Sequence, residues 1–215
     1  MRARSAWRPA QGEPAVTLLL RHGQTPMSVQ KRYAGRSDVP LTETGLAQAA
    51  AAAKRLASAG LGVIVASPLQ RTVQTAEAVA AVTSLPVTTD DGFRETDFGD
   101  WDGLTFAEVR ERWPSEMTAW LADPAVAPPG GESFAEVSER VTAALHRVVA
   151  GQAGKRILIV SHVTPIKTLV AAALLAPPPA LFRMHLDVAA LSEIDWYADG
   201  PAVLRSFNDT AHLSS

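Results

Sequence analysis

Three near-continuous apolar runs punctuate this chain, at residues 16–20, 63–66 and 157–160. Runs of that length without polar alternation are the pattern of strands covered on both faces. Helical stretches follow each of them. Thr42 is an N-cap candidate for a helix on which Leu46, Ala50, Ala53 and Ala57 recur at helical spacing until Gly60 stops it. Pro68 suits a first helical turn after the second run. Short helices are expected around Phe106, Val109 and Trp113 and around Met117, Trp120 and Leu121, before a proline-rich break at 123–131. Ser133 and Glu136 have capping-box spacing, and Phe134, Val137, Val141, Leu145 and Val148 then form one apolar face down to Gly151. Pro165 starts another helix after the third run. A weak strand at 87–89 and two closing strands at 191–197 and 202–207 complete the pattern. Strands alternating with helices predict an α/β domain with a mainly parallel sheet and helices on both faces.

Two of the three runs end in chemistry. The first stops at Arg21-His22-Gly23-Gln24-Thr25 and the third at Ser161-His162-Val163. Ligands of open α/β sheets bind at the carboxyl edge of the strands, so parallel neighbouring strands would bring both imidazoles to one site. Arg21 adds a planar cation beside a ring that titrates near neutrality. Arg71, close behind the second run, sits at a helix start, a natural anion site. The 26–40 loop carries Lys31, Arg32, Gly35 and Arg36, and 93–103 is a dense acidic and aromatic loop with Glu95, Asp97, Asp100 and Asp102. A carboxylate among aromatic rings is the setting of a proton donor, but most of these acids should be capping or solvated. The competing reading makes the histidines ordinary strand-end residues, Arg71 half of a surface ion pair, and the loops merely solvated. His146 reads as solvent-exposed, His185 and His212 as structural.

Composition narrows the classes. The 215 residues are 47% hydrophobic and 20% charged, with a net charge of −2, as in a soluble globular protein with no surface for nucleic acid. The sequence has no cysteine, which excludes disulfides and thiolate chemistry and fits a cytoplasmic setting. No apolar segment approaches the ~20 residues that span a bilayer. Residues 1–14 carry Arg2, Arg4 and Arg8 with no apolar core behind them, and read as a linker or tail rather than a signal peptide. Residues 15–215 form the domain.

Taken together, Arg21-His22-Gly23, the Ser67-Pro68-Leu69-Gln70-Arg71-Thr72 helix start, Glu95 ahead of Gly99-Asp100-Trp101, and Ser161-His162 resemble the histidine phosphatase superfamily, phosphoglycerate mutases included. The likeness covers essentially the whole folded chain. Pro129-Gly130-Gly131-Glu132-Ser133, the run from Val160 to Lys167, and His185-Leu186-Asp187 are similar to the C-terminal phosphatase domain of actinobacterial bifunctional ribonuclease H/acid phosphatases, and through it to α-ribazole phosphatases.

The resemblance implies a three-layer α/β/α sandwich of the phosphoglycerate mutase type and a small phosphomonoester as substrate. No metal or other cofactor is implied, and a ribonuclease H domain would precede this one. His22 would be the nucleophile, Glu95 the proton donor and acceptor, and Arg21, Arg71 and His162 the holders of the phosphoryl oxygens. Gln24, Thr25, Ser28, Gly35 and Val163 would complete the substrate site. Two departures stand out: Ser28 where many relatives have asparagine, and Val163 where many have glycine, which should narrow the pocket. Hydrolysis competes with mutase-type phosphotransfer, which the acids after Phe98 disfavour by repelling a multiply anionic substrate. An inactive interaction domain is the third reading, although no catalytic residue is missing.

Overall fold

In the computed structural model, residues 10–214 are described; residues 1–9 of the expected linker lie outside them. Pro14 accepts an N–H from Gly154, and the chain then enters the sheet as β1 (Ala15–Arg21). The other strands are β2 (Leu61–Ala66), β3 (Val87–Thr89), β4 (Arg156–Ser161), β5 (Leu191–Trp196) and β6 (Ala202–Asp209). Their order is β3-β2-β4-β1-β5-β6. The first four are parallel, and β5 and β6 add an antiparallel edge. This is the mainly parallel sheet expected.

Successive side chains of a strand point to opposite faces, and here both faces are covered. Leu19, Ile157 and Ile159 pack against Val141 and Leu145 of α6 (Phe134–Val149) and Leu169 of α7 (Val163–Ala173). Leu18, Leu20, Leu158 and Val160 pack against Ala52 and Leu56 of α2 (Glu43–Leu56) and Val79 of α3 (Gln70–Thr83). These are the three layers, a sheet with helices on both faces, that the resemblance implies. A separate cluster of Phe98, Trp101, Val109, Met117, Trp120 and Phe134 anchors α4 (Phe106–Arg112) and α5 (Pro114–Ala122) beside the site. Among the described residues no helix is long and apolar enough to cross a membrane.

Three local expectations need correcting. The 26–40 loop opens with one helical turn, α1 (Pro26–Val29), because Thr25 and Ser28 form a capping box. Pro68 precedes the N-cap Leu69 instead of entering the helix. The buried face of α2 is Gly45, Ala49, Ala52, Ala53 and Leu56, while Leu46 is half exposed. In an alanine-rich helix, spacing alone cannot fix rotation; here contact with the site does. A Cβ on Gly23 would overlap the Gly45 carbonyl, and one on Gly45 would overlap that of Gln24. The two backbones touch because neither residue has a side chain.

Candidate active site

The β1–β4 register pairs Arg21 with Ser161, and the His22 N–H donates to the Ser161 carbonyl at 3.1 Å. The strand ladder thus runs one residue beyond β1 and sets His22 edge-on to His162, with ring centroids 5.2 Å apart. His22 Nδ1 lies 2.7 Å from the Gly23 carbonyl. A carbonyl only accepts, so Nδ1 carries the ring proton and Nε2 keeps its lone pair. Burial, then the charges of Arg21 and Arg71, push His22 well below the ordinary histidine value. The ring is therefore neutral near pH 7.

His162 is wholly buried and held from both sides. Arg71 Nε donates to its Nδ1 at 3.3 Å, so Nε2 carries the proton and donates to Ser67 Oγ at 2.8 Å. Burial and the neighbouring cationic groups, Arg71 foremost, push this ring well down as well. Arg71 is also fully buried, and burial lowers its pKa. Its other donors reach the carbonyls of Ser37 (2.7 Å), Ala34 (2.8 Å) and Gly35 (3.1 Å), tying down that loop. Asp102 grips the same loop through the N–H groups of Gly35 and Ser37.

Arg21 donates to the Leu186 carbonyl at 2.7 Å, and its buried Nε has no partner among the described residues. Burial lowers its pKa to about 10 against the pull of Glu95, so it stays cationic. Glu95 accepts N–H groups from Thr96 (2.8 Å), Val163 (3.1 Å) and Thr164 (3.3 Å). The last two belong to the first turn of α7, whose unpaired donors and dipole favour an anion. Arg140 fixes the Glu95 backbone by donating to the carbonyls of Gly92, Arg94 and Glu95 while pairing with Glu132 at 2.6 Å.

A pocket of about 270 Å³ opens over His22. It brings together six of the expected residues: Arg21, His22, Thr25, Ser28, Glu95 and Val163. Arg71 and His162 do not line it; both are fully buried, with His162 edge-on to His22. Gln24 and Gly35 do not line it either; Gln24 accepts from Thr42 Oγ1 at 2.9 Å. The Ser28 hydroxyl accepts the Thr25 N–H and donates to the Thr25 carbonyl, so it shapes the turn. Tyr33, Trp120, Lys167 and Phe182 also line the wall, and nothing local in the sequence marks them as site residues. Lys167 lies four residues after Val163, so helical spacing alone puts both on one face. Arg140 gave no local signal. No group of acids and histidines among the described residues has the makings of a metal site.

Comparison with known proteins completes the picture. Residues 17–210 match the model of the histidine phosphatase superfamily (branch 1). The chain belongs to that superfamily. Bifunctional protein Rv2228c of Mycobacterium tuberculosis is 49% identical over 208 residues, covering 96% of this chain but 57% of that protein. The chain thus spans little more than half the length of this relative. Probable phosphoglycerate mutase GpmB of Proteus mirabilis is 35% identical, covering 91% of this chain and 94% of GpmB. Among solved structures, mycobacterial glucosyl-3-phosphoglycerate phosphatase Rv2419c superposes with a TM-score of 0.84 at 32% identity, over 91% of this chain and 100% of that one.

Two buried neutral histidines make the chain's stability pH-dependent. Unfolded histidine titrates near 6.5, whereas both folded rings titrate well below that. Between those limits the unfolded chain holds more protons, so stability falls as pH drops below about 6.5, by up to about 1.4 kcal/mol per pH unit for each ring. Thermal melts from pH 8 to 5 should show Tm descending in that window, less steeply in His22→Ala. A slope identical in the variant would mean that His22 is not held neutral.

Proposed function

We propose that this domain is a metal-independent phosphomonoester hydrolase working through a phosphohistidine at His22. The observation that carries the reading is the His22 Nδ1 bond to the Gly23 carbonyl, which leaves Nε2 its lone pair, next to an Arg21 whose Nε has no partner among the described residues. Nε2 attacks phosphorus, forming an N–P bond as the ester P–O bond breaks. Arg21 and the first N–H groups of α7 face the phosphoryl oxygens, where charge stabilisation supplies most of the rate. A phosphoryl oxygen that takes over the Val163 N–H frees Glu95, which takes up a proton from water or from the phosphate monoanion and gives it to the ester oxygen as the P–O bond breaks. Glu95 then takes a proton from water as the water oxygen displaces His22 and inorganic phosphate leaves. Arg71 and His162 share the holding of the phosphoryl oxygens with Arg21 on this reading, Arg71 also fixing the His162 ring through its Nε.

Aromatic walls at Tyr33, Trp120, Phe134 and Phe182 suit a small ester with an apolar or ring-bearing alcohol. The likeness to α-ribazole phosphatases supports a substrate of that kind and an acid phosphatase activity. A mutase is the second reading, favoured by the likeness to GpmB. A second, fused domain is supported by a relative that is longer and named bifunctional, and its ribonuclease H character rests on the resemblance alone. The test is a screen of sugar, nucleoside, glycerate and α-ribazole phosphates with a chelator present. Inorganic phosphate should accumulate from several of them. Migration of phosphate between hydroxyls without release would overturn hydrolysis in favour of the mutase.

A further inference from the structure

Glu95 lies in a stretch, residues 94–98, that forms neither helix nor strand. Backbone groups there need donors and acceptors from elsewhere. Arg140 supplies several of them. Its Nη1 donates to the carbonyls of Gly92 (3.0 Å) and Arg94 (2.8 Å), and its Nη2 to that of Glu95 (3.0 Å). Nε and the second Nη2 hydrogen go to the two carboxylate oxygens of Glu132, at 2.6 and 2.8 Å. All five donors of the guanidinium are thereby spent. Glu132 closes the far end of the stretch. Its carboxylate accepts the Asp97 N–H at 3.2 Å, and its own N–H donates to the Asp97 carbonyl at 2.8 Å.

The guanidinium is fixed because α6 is fixed. Val137, Val141 and Ala144 stand around Arg140 on that helix, wholly buried in the core that includes Leu19 of β1. β1 in turn leads into His22, so sheet, helix, guanidinium and loop join the nucleophile to Glu95 through one packed frame. Neither Arg140 nor Glu132 lines the pocket over His22, so neither meets a substrate there. The frame also sets a distance. Glu95 bonds the Val163 and Thr164 N–H groups at 3.1 and 3.3 Å, long for charge-assisted bonds, which run at about 2.7–2.9 Å. Its backbone is held where the carboxylate stops short of closing on the end of α7, which leaves room for a phosphoryl oxygen to take its place.

We propose that Arg140, oriented by Glu132, is a positioning residue that sets Glu95 for proton transfer to the departing alcohol and takes no part in the attack on phosphorus. This rests on the phosphatase reading above.

The test reads kcat/KM, which covers only the steps up to departure of the alcohol, on glycerol 3-phosphate and 4-nitrophenyl phosphate. Arg140→Met should lose about 10–100-fold on the alkyl ester, the scale of a catalytic group displaced by about 1 Å, and little on the aryl ester. In a Glu95→Gln background the same substitution should cost nothing further on the alkyl ester, because residues that act as a unit are not additive. Glu132→Gln keeps an acceptor for the Asp97 N–H but loses the charge, and should show the same split at smaller size; it decides the matter if Arg140→Met does not fold. Equal losses on both esters, or a full further loss in the Glu95→Gln background, overturn the proposal in favour of general structural support. Amide exchange gives a readout free of turnover. Val163 and Thr164 should exchange faster in Arg140→Met relative to the rest of α7, and unchanged exchange overturns the role. If the wild type hydrolyses neither ester while those two amides still respond to Arg140, the phosphatase reading fails and the positioning of Glu95 stands.

Discussion

His22→Ala is expected to lower kcat by about 10⁴-fold or more, the scale of loss when a covalent nucleophile is removed. The variant should still fold. His22 follows β1 instead of lying within it, and its backbone bonds to Ser161 and Ala189 do not involve the ring. With labelled substrate and rapid quenching, the wild type should yield a phosphoenzyme that is stable to base and labile to acid. The Nδ1–H bond to the Gly23 carbonyl makes a finer forecast, that phosphate is carried on Nε2. Label found on a serine, or substantial turnover left in the variant, would sink the assignment.

The sheet was readable because each central strand is buried on both faces and so shows as an unbroken apolar run. His22 and His162 were readable for a related reason, since polar residues closing such runs have few places to go but the sheet edge. What escaped notice depends on contacts between elements distant in sequence. The rotation of α2 is set by backbone contact between Gly23 and Gly45, which an alanine-rich helix cannot advertise. Arg140 looks like any arginine on an amphipathic helix until the 92–95 carbonyls are folded onto it. Likewise Asp97 and Asp102 read as part of a negative patch, because sequence does not reveal that Arg36 and the 35–37 loop absorb them.

Glu95→Gln is expected to cost about 10²–10⁴-fold on alkyl phosphates, the usual worth of a general acid, and less than about tenfold on aryl phosphates. An alkoxide is a poor leaving group that needs a proton as the P–O bond breaks; a phenolate leaves without one. Glutamine keeps the shape of the side chain and an oxygen able to accept from the first turn of α7, so the loss reports the missing proton rather than a collapsed loop. Comparing kcat for the two ester types checks this. Equal losses would mean that Glu95 is not the proton donor. Asp97 would be no substitute, being paired with Arg36 off the pocket wall.

The strand order has a consequence for how the enzyme comes into being. β4 lies between β1 and β2, yet the ribosome makes it only after both, and after α6. Until it arrives, β1 and β2 each present an unpaired edge, the kind of surface that recruits other chains. The insertion that closes this gap joins distant parts of the sequence, which makes it slow. It also carries His162 to His22. Catalytic competence therefore waits on the strand that joins the two halves of the sheet, because the insertion that links β1 to β2 is also the one that assembles the histidine pair.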